Sequence, residues 1–122
     1  MKLYIAGHSQ EDSNKVAKLC RDAGHFIMSS WLEEDLSRTS TYSDNDKQRI
    51  AEKDFSEVAA SDALVLVASS MRIPGGKFVE AGIALGQGKP VYVLGHRENM
   101  LMWHPLCQRF DSCENFLTSL YK

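Results

Sequence analysis

The sequence predicts an α/β fold: one domain holding a doubly wound, mostly parallel sheet of 4-5 strands with helices on both faces. Three observations carry this. Short apolar runs alternate with stretches of helical period. The run from Asp62 to Ala68 is almost uninterruptedly apolar, as befits a central parallel strand covered on both sides. Gly24 and the Gly88-Lys89-Pro90 stop fall where helices should hand over to strands.

Leu3 to Ala6 reads as the first strand, and Gly7-His8-Ser9 as a compact turn. A helix over Asn14 to Ala23 follows, with Val16, Ala17, Leu19 and Cys20 at helical spacing. After Gly24, Phe26 to Trp31 reads as a second buried strand. Leu32 to Asn45 is polar and lacks an apolar period; a loop of this length in a small domain is more often functional than idle, and it is placed to cover a site. Asp46 to Ala60 is an amphipathic helix whose stripe is Ile50, Ala51, Phe55, Val58 and Ala59. The next helix opens at Lys77 and uses Phe78, Ala81, Gly82, Ala84 and Leu85, the small residues allowing close packing on the sheet. Val91 to Leu94 is a fourth strand, Phe110 marks a fifth, and a last helix lies around Asn115 to Tyr121. The domain is expected to span 1-122.

With 122 residues the chain can bury a core without a metal or disulfides. A net charge of −2 and the lack of any Lys/Arg run argue against a nucleic-acid polymer as partner. Cys20, Cys107 and Cys113 form no CxxC or zinc spacing and read as reduced thiols; His8, His25, His96 and His104 show no metal spacing either. No metal and no cofactor is therefore expected. No signal peptide and no membrane-spanning run is visible, so the expected location is the cytoplasm.

Two carboxylates stand out. Glu80 lies just inside a helix start beyond the carboxyl end of a strand, where open α/β sheets bind ligands. The glycines Gly75 and Gly76 let backbone approach a ligand there. The helix dipole is expected to keep Glu80 ionised near neutral pH, and complementing that dipole is also its plain structural reading. Asp54 interrupts the apolar stripe of its helix, four residues after Ile50 and four before Val58. Either it swivels outward to a core-edge cation, or it is held half-buried for a purpose, with a raised pKa.

These residues resemble the nucleoside 2-deoxyribosyltransferase superfamily, which includes the 2'-deoxynucleoside 5'-monophosphate N-glycosidases. Leu3-Tyr4-Ile5-Ala6-Gly7 is similar to the family's first strand and loop, Asp54-Phe55 to its Asp-Leu pair eight residues before an Asp such as Asp62, and Phe78-Val79-Glu80-Ala81-Gly82 to its x-x-Glu-x-Gly helix start. Glu98-Asn99-Met100-Leu101 resembles a segment whose Asn or Ser reaches into a neighbouring subunit's site. The resemblance implies a flavodoxin- or Rossmann-like fold and a homodimer or higher homo-oligomer. It further implies cleavage or transfer of the N-glycosidic bond of a nucleoside or its 5'-monophosphate. Glu80 would be the nucleophile, Tyr4 would orient it, and Asp54 would assist the departing base. The resemblance adds Asn99 as a substrate contact. From their place at the end of the first strand, Gly7, His8 and Ser9 are candidates to offer donors to a 5'-hydroxyl or 5'-phosphate, with an ordinary turn as their plain account, and Gly75 and Gly76 are candidate contacts by the close backbone approach they allow.

The loop Ser69 to Gly76 departs from the family's acidic or Ser-containing versions, and Gly7 to Gln10 matches neither known variant of the first loop. Arg72 is the nearby cation suited to phosphate, or else a solvated loop charge. Trp31 and Trp103 are candidates for stacking on a base, although core packing is the commoner role. Two other readings compete: a non-catalytic nucleotide-sensing module of the same fold, and a phosphoribohydrolase suggested by Pro74-Gly75-Gly76 before Glu80, weakened by the missing Gly-Thr element.

Overall fold

A computed structural model describes residues 1–69 and 75–121. Its sheet is built from β1 (Lys2–Ala6), β2 (Phe26–Ile27), β3 (Ala63–Val67), β4 (Val91–Leu94) and β5 (Cys107–Phe110). The five strands are all parallel and run in the order β2-β1-β3-β4-β5. The helices are α1 (Gln10–Asp22), α2 (Asp44–Ala60), α3 (Gly76–Gly86) and α4 (Cys113–Ser119).

Side chains alternate across each strand, so the sheet feeds two separate cores. Tyr4, Leu64, Leu66, Val91 and Val93 pack with Val58 of α2 and with Ala81 and Ala84 of α3. Leu3, Ile5, Ala63 and Val65 pack on the opposite face with Ala17 and Cys20 of α1 and Phe116 of α4. Strand order reverses between β1 and β3, which opens a crevice at the carboxyl ends of those strands.

Several local expectations are corrected. The second strand stops at Ile27, and Phe26 is 72% exposed, because β2 is an edge strand. Ser30–Glu33 turns instead into a 3-10 helix, and a second one, Leu36–Thr41, orders part of the polar stretch that reads as loop. The first long helix starts earlier than its apolar period suggests, since Ser9 caps it by accepting from the Asp12 N–H. α2 likewise begins at Asp44, held by a capping box between Ser43 and Asp46. Of the α2 stripe, Val58 alone is buried in the core; Phe55 is 52% exposed, and it lines a cavity with Ile50 and Ala51. On α3 the close packing is made by Ala81 and Ala84, whereas a side chain on Gly82 would meet open space.

Candidate active site

The site begins with Tyr4. It is the middle residue of β1 and fully buried, and its ring lies on the α2/α3 face because its neighbours Leu3 and Ile5 face the other way. Its hydroxyl donates to Oε2 of Glu80 across 76 residues of chain. Glu80 is the fifth residue of α3, beyond the helix's unpaired first-turn N–H groups. Its carboxyl is therefore not held ionised by the helix end, contrary to the sequence expectation. Burial instead pushes it up from 4.5 to about 7; the Tyr4 hydroxyl works against that rise, and the nearby Asp54 and Glu57 carboxylates add to it.

Asp54 turns inward from α2. Its Oδ1 is buried without a hydrogen-bond partner among the described residues, and Lys53 Nζ stands 3.6 Å away. Burial raises its pKa from the ordinary value; Lys53 opposes the rise, while Glu34 and Glu57 reinforce it. Asp54 and Glu80 both open onto one cavity of about 810 Å³, with Gly7 and His8 at the end of β1 and Gly76 and Lys77 at the start of α3. A Cβ on Gly7 would come within 2.5 Å of Ser13 Oγ and 3.2 Å of Val67 Cβ, so only glycine lets the β1 loop pass this close to β3.

The polar stretch does cover the site: Leu36, Thr39 and Tyr42 line the same cavity. Gln10 ties the stretch down, its side-chain amide donating to the carbonyls of Trp31, Leu32 and Glu34 at 2.8–3.0 Å. Trp31 lines the cavity too, with its indole N–H fixed to the Ile5 carbonyl at 2.8 Å. Trp103 is exposed, with the Arg97 guanidinium 4.2 Å above its ring, and belongs neither to a core nor to this cavity.

Other expected contacts lie apart. Ser9 is engaged in capping α1, Gly75 is the N-cap of α3, and neither lines the cavity. Asn99 caps the 3-10 turn Met100–Trp103, its Oδ1 accepting from the Leu101 N–H at 3.0 Å, outside the cavity of its own chain. Ser70, Arg72 and Pro74 fall outside the described residues. Cys20, Cys107 and Cys113 are free and buried. Among the described residues no cluster of His, Cys, Asp and Glu could hold a metal ion, and no helix is long and apolar enough to cross a membrane.

Two charged contacts escape the sequence reading. Lys53 bonds to Glu34 and to Ser30 Oγ, the latter at 2.8 Å, and so joins the covering stretch to the residue beside Asp54. Lys77, buried at the start of α3, pairs with Glu98. A cation in a first helical turn opposes the helix dipole, and that was the signal that it needs a partner.

The family model for nucleoside 2-deoxyribosyltransferase matches residues 3–115. The chain belongs to that family. The match takes in Tyr4, Asp54 and Glu80 together. Among solved structures, the fold is similar to a 2-deoxyribosyltransferase from Bacillus psychrosaccharolyticus, with a TM-score of 0.77 and 22% identity over 96% of this chain and 90% of that one. A CMP N-glycosidase from Clostridium botulinum matches with a TM-score of 0.62 and 14% identity over 99% and 98%. DNA processing protein A of Helicobacter pylori, studied for its binding of single-stranded DNA, gives 0.66 and 16% over 99% and 80%. At these identities the structures share the fold. No curated protein sequence matches the chain significantly.

Proposed function

We propose that the protein cleaves or transfers the N-glycosidic bond of a deoxyribonucleoside-type substrate, with Glu80 as nucleophile. The observation that carries this reading is the hydrogen bond from the Tyr4 hydroxyl to the Glu80 carboxylate, at the wall of a cavity that Asp54 also enters. Breaking such a bond builds positive charge on the sugar and negative charge on the base, and two carboxyl groups in unlike states serve both ends. The Glu80 carboxylate attacks the anomeric carbon while the C–N electron pair leaves with the base. Asp54, raised by burial, donates its proton or a hydrogen bond to that base. The resulting glycosyl ester on Glu80 is opened by water, giving free sugar, or by a second base, giving a new nucleoside.

Tyr4 is a positioning residue in this scheme: its hydroxyl fixes one carboxylate oxygen and stabilises the ionised form. His8 and the backbone of Gly7 and Gly76 form the end of the cavity suited to the 5' side of the sugar. The working form is a cytoplasmic homodimer in which the loop around Asn99 meets a second copy; the adjoining Met100, Leu101 and Trp103 are large apolar side chains left exposed.

The test is incubation with each deoxynucleoside and each 5'-monophosphate, followed by chromatography for free base. Release by the wild type and none by Glu80→Ala supports the reading. Tight binding of a candidate without release of base from any would replace it with a nucleotide-sensing role.

A further inference from the structure

Lys53 on α2 places one positive charge between two acids. Its ammonium donates to Glu34 and, at 2.8 Å, to Ser30 Oγ, both on the covering stretch, and it lies 3.6 Å from Oδ1 of Asp54. An ammonium has three donors, so one remains after Glu34 and Ser30 are served, with Asp54 Oδ1 just beyond hydrogen-bond reach. Among the described residues no other cation stands within 4.0 Å of Asp54, and that buried oxygen has no hydrogen-bond partner. Glu34 and Asp54 line the same cavity.

Lys53 and Glu57 stand four residues apart on α2 and both hold the covering stretch, Glu57 by accepting the Ser30 N–H at 3.1 Å. Asp54 sits beside the first of them in sequence and turns inward. The titratable groups that face it are Lys53 and Glu57 on α2, Glu34 on the covering stretch, Glu80 on α3 and the Tyr4 phenol on β1. His8, Lys47 and Lys77 share the cavity wall. While Glu34 satisfies the charge of Lys53, an ionised Asp54 would be a half-buried carboxylate with no bonded cation, which favours keeping the proton. Once Glu34 withdraws, the ammonium is free to close the 3.6 Å gap and favour the carboxylate.

We infer that Lys53 is a positioning residue through which Glu34 sets the proton state of Asp54: the covering stretch leaves the acid its proton when docked and hands it the cation when lifted. This rests on the glycosidic reading above and names what regulates the acid in it. The coupling is reciprocal. When Asp54 gives its proton to the departing base, its O–H bond breaks, an N–H bond forms on the base, and the new carboxylate competes with Glu34 for Lys53. The hold on the covering stretch therefore weakens as the base has to leave.

Titration of Asp54 by NMR of isotope-labelled aspartate carboxyls, its signal assigned by its loss in Asp54→Asn, tests this without turnover. Glu34→Gln and Lys53→Met break the same contact. If that contact only fastened the covering stretch, both would move the Asp54 titration in the same direction. Glu34→Gln should instead lower it and Lys53→Met raise it, with Lys53→Arg close to the wild type. Added to Lys53→Met, Glu34→Gln should move it less than Glu34→Gln does alone. In turnover, Glu34→Gln should widen the kcat/KM ratio between a base that leaves readily and an ordinary base by roughly tenfold, part of what general acid catalysis contributes. Shifts in one direction, or a Glu34→Gln shift that persists in full without Lys53, overturn the inference; Lys53→Gln replaces Lys53→Met should the latter not fold. If no substrate releases base yet the two titrations are opposed, the glycosidic reading fails and the coupling stands. If base is released and the two titrations move together, the reading stands and the coupling fails.

Discussion

Replacing Glu80 by glutamine should make the protein more stable above neutral pH, and the gain can be worked from the site. The Glu80 carboxyl titrates at about 7 in the folded protein against 4.5 ordinarily, because folding removes it from water. Between those values the native state keeps a proton that the unfolded chain has lost, so native stability falls as pH rises through this window. Ionised Glu80 then costs about 3 kcal/mol at pH 8 and under about 1 kcal/mol at pH 5. Glutamine mimics the protonated acid in shape and still accepts from the Tyr4 hydroxyl. Glu80→Gln should therefore be spared about 2.5 kcal/mol of the stability that the wild type loses between pH 5 and pH 8. That is a large share of the roughly 5–15 kcal/mol that holds a domain together. Urea unfolding of both proteins at the two pH values measures it directly. If the two stability differences agree within error, Glu80 is ionised at no cost, and the account of a desolvated nucleophile is refuted.

Four further outcomes follow from the same geometry. Wild-type kcat/KM should climb with pH through about 7 as Glu80 ionises, which a pH–rate profile with a deoxynucleoside will show. Tyr4→Phe removes the bond that opposes the rise in Glu80, so its acidic limb should move to higher pH and kcat/KM should fall about 10–100-fold, as for loss of a hydrogen bond to a charged group. Asp54→Asn should slow release of an ordinary base by roughly 10²–10⁴ but far less for a base that leaves readily without a proton, and the ratio between two such substrates isolates the role of Asp54. Gly7→Ala should destabilise the fold by about 1–3 kcal/mol in urea, since its methyl group meets Ser13 Oγ at 2.5 Å.

The interior strands and the main helices were legible because their residues answer to local rules. β3 is an apolar run with covered faces, Gly24 takes a left-handed φ of +93° after α1, and Gly88 does so at +73° after α3. The second strand was overextended because an edge strand needs no apolar pattern to hold it, and the Ser30–Glu33 turn is fixed from outside by Gln10 and Glu57. The α2 stripe misled for a related reason: a helix face that lines a cavity carries the same apolar spacing as one that enters a core. At the site, Asp54 was legible as a carboxylate breaking that stripe, whereas the rise in Glu80 was not. Sequence places Glu80 near a helix start, but only tertiary packing decides that it lies past the free N–H groups and out of water. The Lys77–Glu98 pair joins residues 21 apart across two loops, and no local period encodes such a partner.

The distribution of charge bears on the reaction as well as on the fold. Of the cations close to the two acids among the described residues, Lys53 is engaged by Glu34 and Ser30 and Lys77 by Glu98, while Lys47 stands exposed at the rim. Among the described residues Asp54 and Glu80 are thus left under-compensated, each raised by burial and by neighbouring carboxylates. Ionisation of Glu80 is opposed near neutral pH, chiefly by burial, and the Asp54 carboxylate adds to that opposition. In the proposed reaction, carboxylates so placed suit a sugar that turns cationic as its base departs. With Glu80 as the proposed nucleophile, positive charge at the anomeric carbon would compensate its carboxylate when the bond breaks, making the interaction stronger in the transition state than with bound substrate. The same burial that weakens the fold at high pH thus becomes stabilisation of the transition state, and a variant that relieves the first should lose the second.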